Sequence, residues 1–182
     1  MTEAIRNNLG IFNRVLDEIP AILYVGDAVL RKNTQLVEVE EGKVVGDKLG
    51  KILLNYREIA GMGRGLASPQ IGLSKSVFVT FEDGKLRIFI NPTITERSKE
   101  TNFYRELCIS SGIMAADVER PEWIVMKWTD IEGANHEDRV EGFPARLYQH
   151  EEAHLRGIVN LDEAVPGGIE FVTFDPLKEQ LR

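Results

Sequence analysis

The sequence predicts an α+β fold, with antiparallel strands in the middle of the chain packed around a C-terminal helix and a further helix at the N-terminus. Three observations predict it. Apolar residues recur at helical spacing in the first 18 residues, alternating runs fill the middle, and helical spacing returns at residues 143–156. Helices and strands segregated in this way point away from a doubly wound parallel sheet.

Ile5, Leu9, Phe12, Val15 and Leu16 fall on one face, so residues 1–18 are expected to form an amphipathic helix ending before Pro20. A second helix is expected over residues 47–60. It places Leu49, Ile52, Leu53, Tyr56 and Ile59 on one side, with Gly61 and Gly63 behind it as stops. Residues 76–82 and 86–91 alternate and flank Asp83-Gly84, a hairpin signal, and Pro92 is expected to close the second strand. Residues 123–129 alternate again. The polar stretch 133–139 reads as a loop carrying a solvated His136. Residues 143–156 read as a helix stopped by Gly157. No repeat, low-complexity stretch or long linker divides the chain, so residues 1–182 are expected to form a single domain.

With 43% hydrophobic and 28% charged residues, the composition is that of an ordinary globular protein. No apolar run approaches the roughly 20 residues of a membrane span. The first 18 residues carry Glu3, Asp17 and Glu18 and do not read as a signal or transit peptide. Cys108 is the only cysteine, so no intrachain disulfide forms and a reducing, cytoplasmic setting is expected. A net charge of −7 with interspersed signs argues against a nucleic-acid binder, sequence-specific or general. Peptides, proteins and small molecules remain as partners, and a transient ribosome contact through a local basic patch stays open.

The strongest local signal is His150-Glu151-Glu152-Ala153-His154. Positions i and i+4 of a helix share a face, so both imidazoles can reach one metal ion, with Glu151 beside them as a proton acceptor. The plainer alternative is a solvated helix carrying two incidental histidines. A catalytic site of this type needs a third protein ligand. Downstream, Asp162, Glu163, Glu170 and Glu179 lack a distinguishing context. Upstream stands Cys108, and a thiolate with two imidazoles is a known tetrahedral donor set.

Three segments then resemble, in order, the signature motifs of the peptide deformylase family. They are Gly63-Arg64-Gly65-Leu66-Ala67-Ser68-Pro69-Gln70-Ile71-Gly72, Glu106-Leu107-Cys108-Ile109-Ser110, and Gln149-His150-Glu151-Glu152-Ala153-His154-Leu155-Arg156-Gly157. Weaker similarities at Asp27 to Lys32, Ile90-Asn91-Pro92 and Val118-Glu119-Arg120 extend the resemblance over about residues 22–165.

The resemblance implies a metal-dependent hydrolase that removes the N-formyl group from the formylmethionine of new polypeptides and releases formate. It implies that Cys108, His150 and His154 hold one divalent ion, Fe(II) by expectation, with Zn, Ni and Co chemically admissible. Glu151 would take a proton from water and pass it to the departing amine. The side-chain amide of Gln70 and the backbone N–H of Ile109 would steady the oxyanion. Gly63, Arg64 and Gly65 would border an extended formylmethionyl peptide, with Tyr104 and Phe143 as walls of the methionine pocket. Glu106 is placed among the substrate-binding groups and, with Arg120, as a brace for the cysteine segment. If both were simply exposed, each would be worth under about 1 kcal/mol.

Leu107, Ala153 and Arg64 depart from the family pattern. Leu107 stands where the family has glycine, so a positive φ there would strain it. Ala153 replaces a carboxylate, and Arg64 occupies a position that is normally apolar. Two other readings follow from the same residues. A metallopeptidase would take its third ligand downstream and ignore Cys108, and a catalytically retired relative would bind without turnover.

Overall fold

The computed structural model describes residues 3–173. The first helix, α1 (Glu3–Glu18), matches its expected span, although Val15 is its only buried residue. The second, α2 (Val39–Ala60), starts eight residues before the expected position. Gly42 and Gly46 hid that start, because glycine costs a helix roughly 1 kcal/mol relative to alanine. With Gly50 they recur every fourth residue. Their spacing puts them on one face, directly against Ile90, Ile88 and Leu86. A Cβ at any of them would fall under 3.0 Å from those side chains. Close packing of helix on sheet outweighs the local propensity.

Eight strands follow: β1 (Gly65–Ala67), β2 (Val77–Glu82), β3 (Lys85–Arg97), β4 (Thr101–Leu107), β5 (Met114–Pro121), β6 (Trp123–Thr129), β7 (Asn135–Glu141) and β8 (Ala164–Phe171). They form a five-stranded sheet in the order β1-β2-β3-β6-β7 and a three-stranded sheet β4-β5-β8, with antiparallel pairing throughout. The Asp83-Gly84 hairpin forms as expected, with Glu82 opposite Lys85 and both turn residues at positive φ.

Pro92 does not end β3. The register shifts between Ile90 and Thr93, so the proline sits in a bulge and costs no ladder bond. Asn91, at φ 51°, bonds the N–H and C=O of Val37 through its side-chain amide, tying the bulge to the segment before α2.

Two further expectations are corrected. Residues 135–141 form β7, and His136 stacks on Trp128 and pairs with Asp130 at 2.6 Å instead of lying solvated in a loop. Strands also do not stop before the last helix, because β8 returns to pair with β5. The Pro166-Gly167-Gly168 run in β8 masks any alternating pattern.

The last helix, α3 (Gly142–Leu155), is the centre of the molecule, buried at every residue from Ala145 to Leu155. Phe78, Phe89, Ile124, Met126 and Trp128 pack one face of the large sheet onto α3. Val77, Val79 and Ile90 pack the other face onto Leu49 and Leu53 of α2. Strand β2 is therefore apolar on both sides, as a strand sandwiched between helices must be. Glu179 lies outside the described residues.

Candidate metal centre

Strand β4 ends at Leu107, and a short 3-10 turn (Ile109–Ser111) begins just after Cys108. This hands the cysteine from the small sheet to the face of α3. The ligating atoms of Cys108, His150 and His154 all lie within 4.8 Å of one another, and all three residues are buried. Cys108 Sγ is 3.3 Å from His154 Nε2. A thiol and two imidazoles, all buried, suit one divalent ion of the borderline-soft class.

The electrostatics agree with that fit. Burial alone would push the Cys108 thiol up, but the neighbouring imidazoles outweigh it and hold the thiol well below its usual range. His150 is disfavoured as a cation by burial, yet Cys108 and Glu106 raise it well above an ordinary histidine.

Glu106 was expected to be a brace and a substrate-facing group. The structure buries it and engages both of its oxygens. Arg120 donates to them at 2.6 and 2.9 Å, Arg146 at 2.5 Å and His150 Nδ1 at 2.9 Å. Burial opposes the charge, and the bonds from Arg120 and His150 more than reverse it, so the carboxyl titrates far below the usual range. Neither Glu106 nor Arg120 is the exposed charge of the plainer reading. With Nδ1 tied to Glu106, His150 is fixed with Nε2 toward the thiol, the orientation a ligand needs.

Sequence reasoning missed Arg146. It lies four residues before His150 on the same face of α3, so the spacing that links the histidines could have revealed it.

His154 is held less completely. Its Nδ1 is buried and has no hydrogen-bond partner among the described residues. This agrees with the thinner support expected from Ala153, which is itself buried and offers no polar atom.

Glu151 is 3% exposed, and its Oε2 has no partner. Burial raises its carboxyl to about 7, partly offset by the two histidines. Gly65 explains its room, since a Cβ there would collide with the Glu151 carboxylate.

Gln70 accepts from the Ala67 N–H at 2.8 Å through Oε1, which turns Nε2 toward Cys108 Sγ at 3.5 Å and Ser110 Oγ at 3.2 Å. It thus satisfies a turn and presents a donor to the centre. Leu107 carries no backbone strain. Among the described residues only Asp83 and Asn91 combine a side chain with positive φ.

A groove of about 910 Å³ opens onto Cys108, His150 and Glu151. Gly63, Arg64, Gly65, Gln70 and Ile109 border it, as do Glu106, Tyr104 and Phe143. The rings of Tyr104 and Phe143 meet edge-on at 6.2 Å. Strands β1 and β4 are each the outer strand of their sheet, and both border this groove. Helix α1 also contributes, through Ile11, Phe12 and Val15. Phe12 approaches Gly112, whose φ of +61° suits only glycine and whose Cβ would meet the ring at 2.9 Å. The described residues contain no helix long and apolar enough to cross a membrane.

Comparison with known proteins matches residues 19–168 to the polypeptide deformylase family. A peptide deformylase of Pseudothermotoga lettingae is 36% identical over 165 residues, covering 90% of this chain and 93% of that protein. One from Zymomonas mobilis is 36% identical over 152 residues, covering 78% and 83%. Among solved structures, the Thermotoga maritima peptide deformylase superposes with a TM-score of 0.73 at 33% identity, covering 80% of this chain and 97% of that one. The Plasmodium falciparum peptide deformylase, solved with an inhibitor, gives 0.72 at 31% identity, covering 80% and 90%. This chain belongs to the polypeptide deformylase family, hydrolases that remove the formyl group from the N-termini of new polypeptides.

Proposed function

We propose that this chain deformylates N-formylmethionyl nascent peptides in the groove between β1 and β4, with Cys108, His150 and His154 holding one divalent ion. The supporting observation is the convergence of those three donors beside Glu151, whose carboxylate is buried, unpaired at one oxygen and raised to about 7. A base with that value is half ready at neutral pH. A divalent ion bound there would polarise the formyl carbonyl and make water acidic enough to lose a proton near pH 7.

The chain's own groups do the rest. An extended peptide lies along the free edges of β1 and β4 as an added strand. Gly65 leaves its backbone open to that approach, while the Gly63 carbonyl is already taken by Arg57. The methionine side chain packs against the wall formed by Tyr104 and Phe143. Glu151 takes a proton from the attacking water and delivers it to the amine nitrogen as the C–N bond breaks, leaving formate and a free N-terminus. Gln70 Nε2 and the Ile109 N–H donate to the oxygen as it gains charge, each worth roughly 3 kcal/mol. Glu106 acts through His150 and not on the peptide.

Fe(II) is the proposed working ion. Thiolate and imidazole donors accept it along with zinc, cobalt and nickel. Anaerobic purification followed by metal analysis is expected to find iron; zinc alone would refute this. A reducing cytoplasm, where one free thiol survives and nascent chains emerge at the ribosome, is the proposed setting. The packing of α3 against both sheets supports reading the chain as one domain.

The test is formate release from a formyl-Met tripeptide by protein loaded with Fe(II) or Ni(II) without oxygen. Turnover that is lost in Glu151→Ala is expected. No turnover with metal demonstrably bound would favour the retired-relative reading.

A further inference from the structure

We propose that Arg64 selects an acidic side chain at the third residue of the formylated peptide, an inference that rests on the reading of the groove given above. Four arginines line the groove, and three are engaged. Arg105 is held by Asp117 and Glu170, Arg146 by Glu106, and Arg57 donates to the Gly63 carbonyl. Arg64 has no carboxylate partner among the described residues. Its guanidinium lies 4.5 Å from the centre of the Phe143 ring.

A guanidinium stacked on a ring keeps its in-plane N–H fork free for a carboxylate. Stacking also limits the rotamers of a long side chain, so less order is lost when a ligand arrives. The carboxylates along the groove do not take that fork. Glu106 and Glu151 are buried at the centre, and Glu82 is bonded by the Thr80 and Tyr148 hydroxyls. Asp83 lies at the tip of the hairpin turn and forms no ion pair with Arg64.

The position in the peptide follows from strand geometry. Side chains of an extended peptide alternate, so residues one and three share a side about 7 Å apart, and residue two faces away. With methionine packed against the paired Tyr104 and Phe143 rings, the third side chain returns to the same wall, where the Arg64 guanidinium lies over Phe143.

The test compares kcat/KM for formyl-Met-Ala-Glu-amide with the Gln and Lys counterparts, amidated so that the side chain is the only carboxylate. Holoenzyme at low salt is expected to prefer Glu over Gln over Lys. Each step should be roughly fivefold, the scale of one solvent-accessible ion pair, and should shrink in 0.5 M salt. Arg64→Met is expected to flatten the series, and Arg64→Lys to keep its order with smaller steps. Equal turnover of the three peptides by wild type, a series unchanged in Arg64→Met, or an equal preference at the second residue would each overturn the proposal while leaving deformylation standing. No turnover of any formyl peptide would bring down the groove reading, and this inference with it.

Discussion

Glu106 Oε2 accepts a hydrogen bond from His150 Nδ1 at 2.9 Å, while two buried arginines grip the same carboxylate. One buried acid thus pairs with Arg120, which Glu163 also engages, and with Arg146, and it orients a histidine of the candidate metal centre.

Glu106→Gln keeps the shape and removes the charge. It is expected to weaken metal binding 10–100-fold in competition with a chelator, because His150 loses its carboxylate acceptor. It should also cost about 3–5 kcal/mol in urea unfolding, since Arg146 stays buried without its counter-charge and Arg120 keeps only Glu163. In the wild type the folded value of Glu106 lies below its ordinary 4.5. Its contribution is therefore complete above pH 4.5 and fades as the pH falls below it. Wild-type metal affinity in the variant would remove Glu106 as the positioning group.

Gly65→Ala places a methyl group on the Glu151 carboxylate. The base must shift, and a shift of about 1 Å costs on the order of 100-fold in kcat. Metal content should stay unchanged, which separates this effect from loss of the centre. Unaltered kcat would show that Glu151 has more freedom than its buried position implies.

Glu151, the proposed base, is destabilised by its burial. Its folded value of about 7 lies above the ordinary 4.5, so its contribution is complete below about pH 4.5 and is lost as the pH rises through 7. Chelated Glu151→Gln is expected to match the chelated wild type at about pH 4 and to exceed it by roughly 3 kcal/mol at pH 8. Turnover of the metal-loaded variant should fall by about 100- to 10,000-fold. Equal urea midpoints at both pH values would contradict the burial penalty.

Gly46→Ala tests why α2 is built with glycines. Helix propensity alone predicts a gain of about 1 kcal/mol. Contact with Ile88 predicts a net loss of about 1–3 kcal/mol, because the sheet must move away. A rise in the unfolding midpoint would mean that the interface yields more easily than its packing suggests.

The candidate metal-binding helix was legible in the sequence because both histidines and the proposed base lie within five consecutive residues, where helical geometry alone sets their relation. The hairpin at Asp83-Gly84 was legible for the same reason, as its turn chemistry is local. Family motifs supplied Cys108 and Gln70. The early turns of α2, the strand continuing past Pro92 and the strand role of residues 135–141 were not legible. Each depends on a partner distant in the chain: Ile88 and Ile90 against the glycines, Val37 on Asn91, and β6 beside β7.

By itself the sequence determined the fold class, the residue types of the candidate ligands and the spacing of the two histidines on α3. Only the tertiary structure decided that Glu106, Arg120, Arg146 and His150 form one buried network, that Leu107 is unstrained, and that Arg64 rests on Phe143 without a counter-ion among the described residues. Periodicity reports which way a side chain faces along its own element. Charge pairing, burial and the shape of a groove depend on which elements meet, and long-range packing sets that.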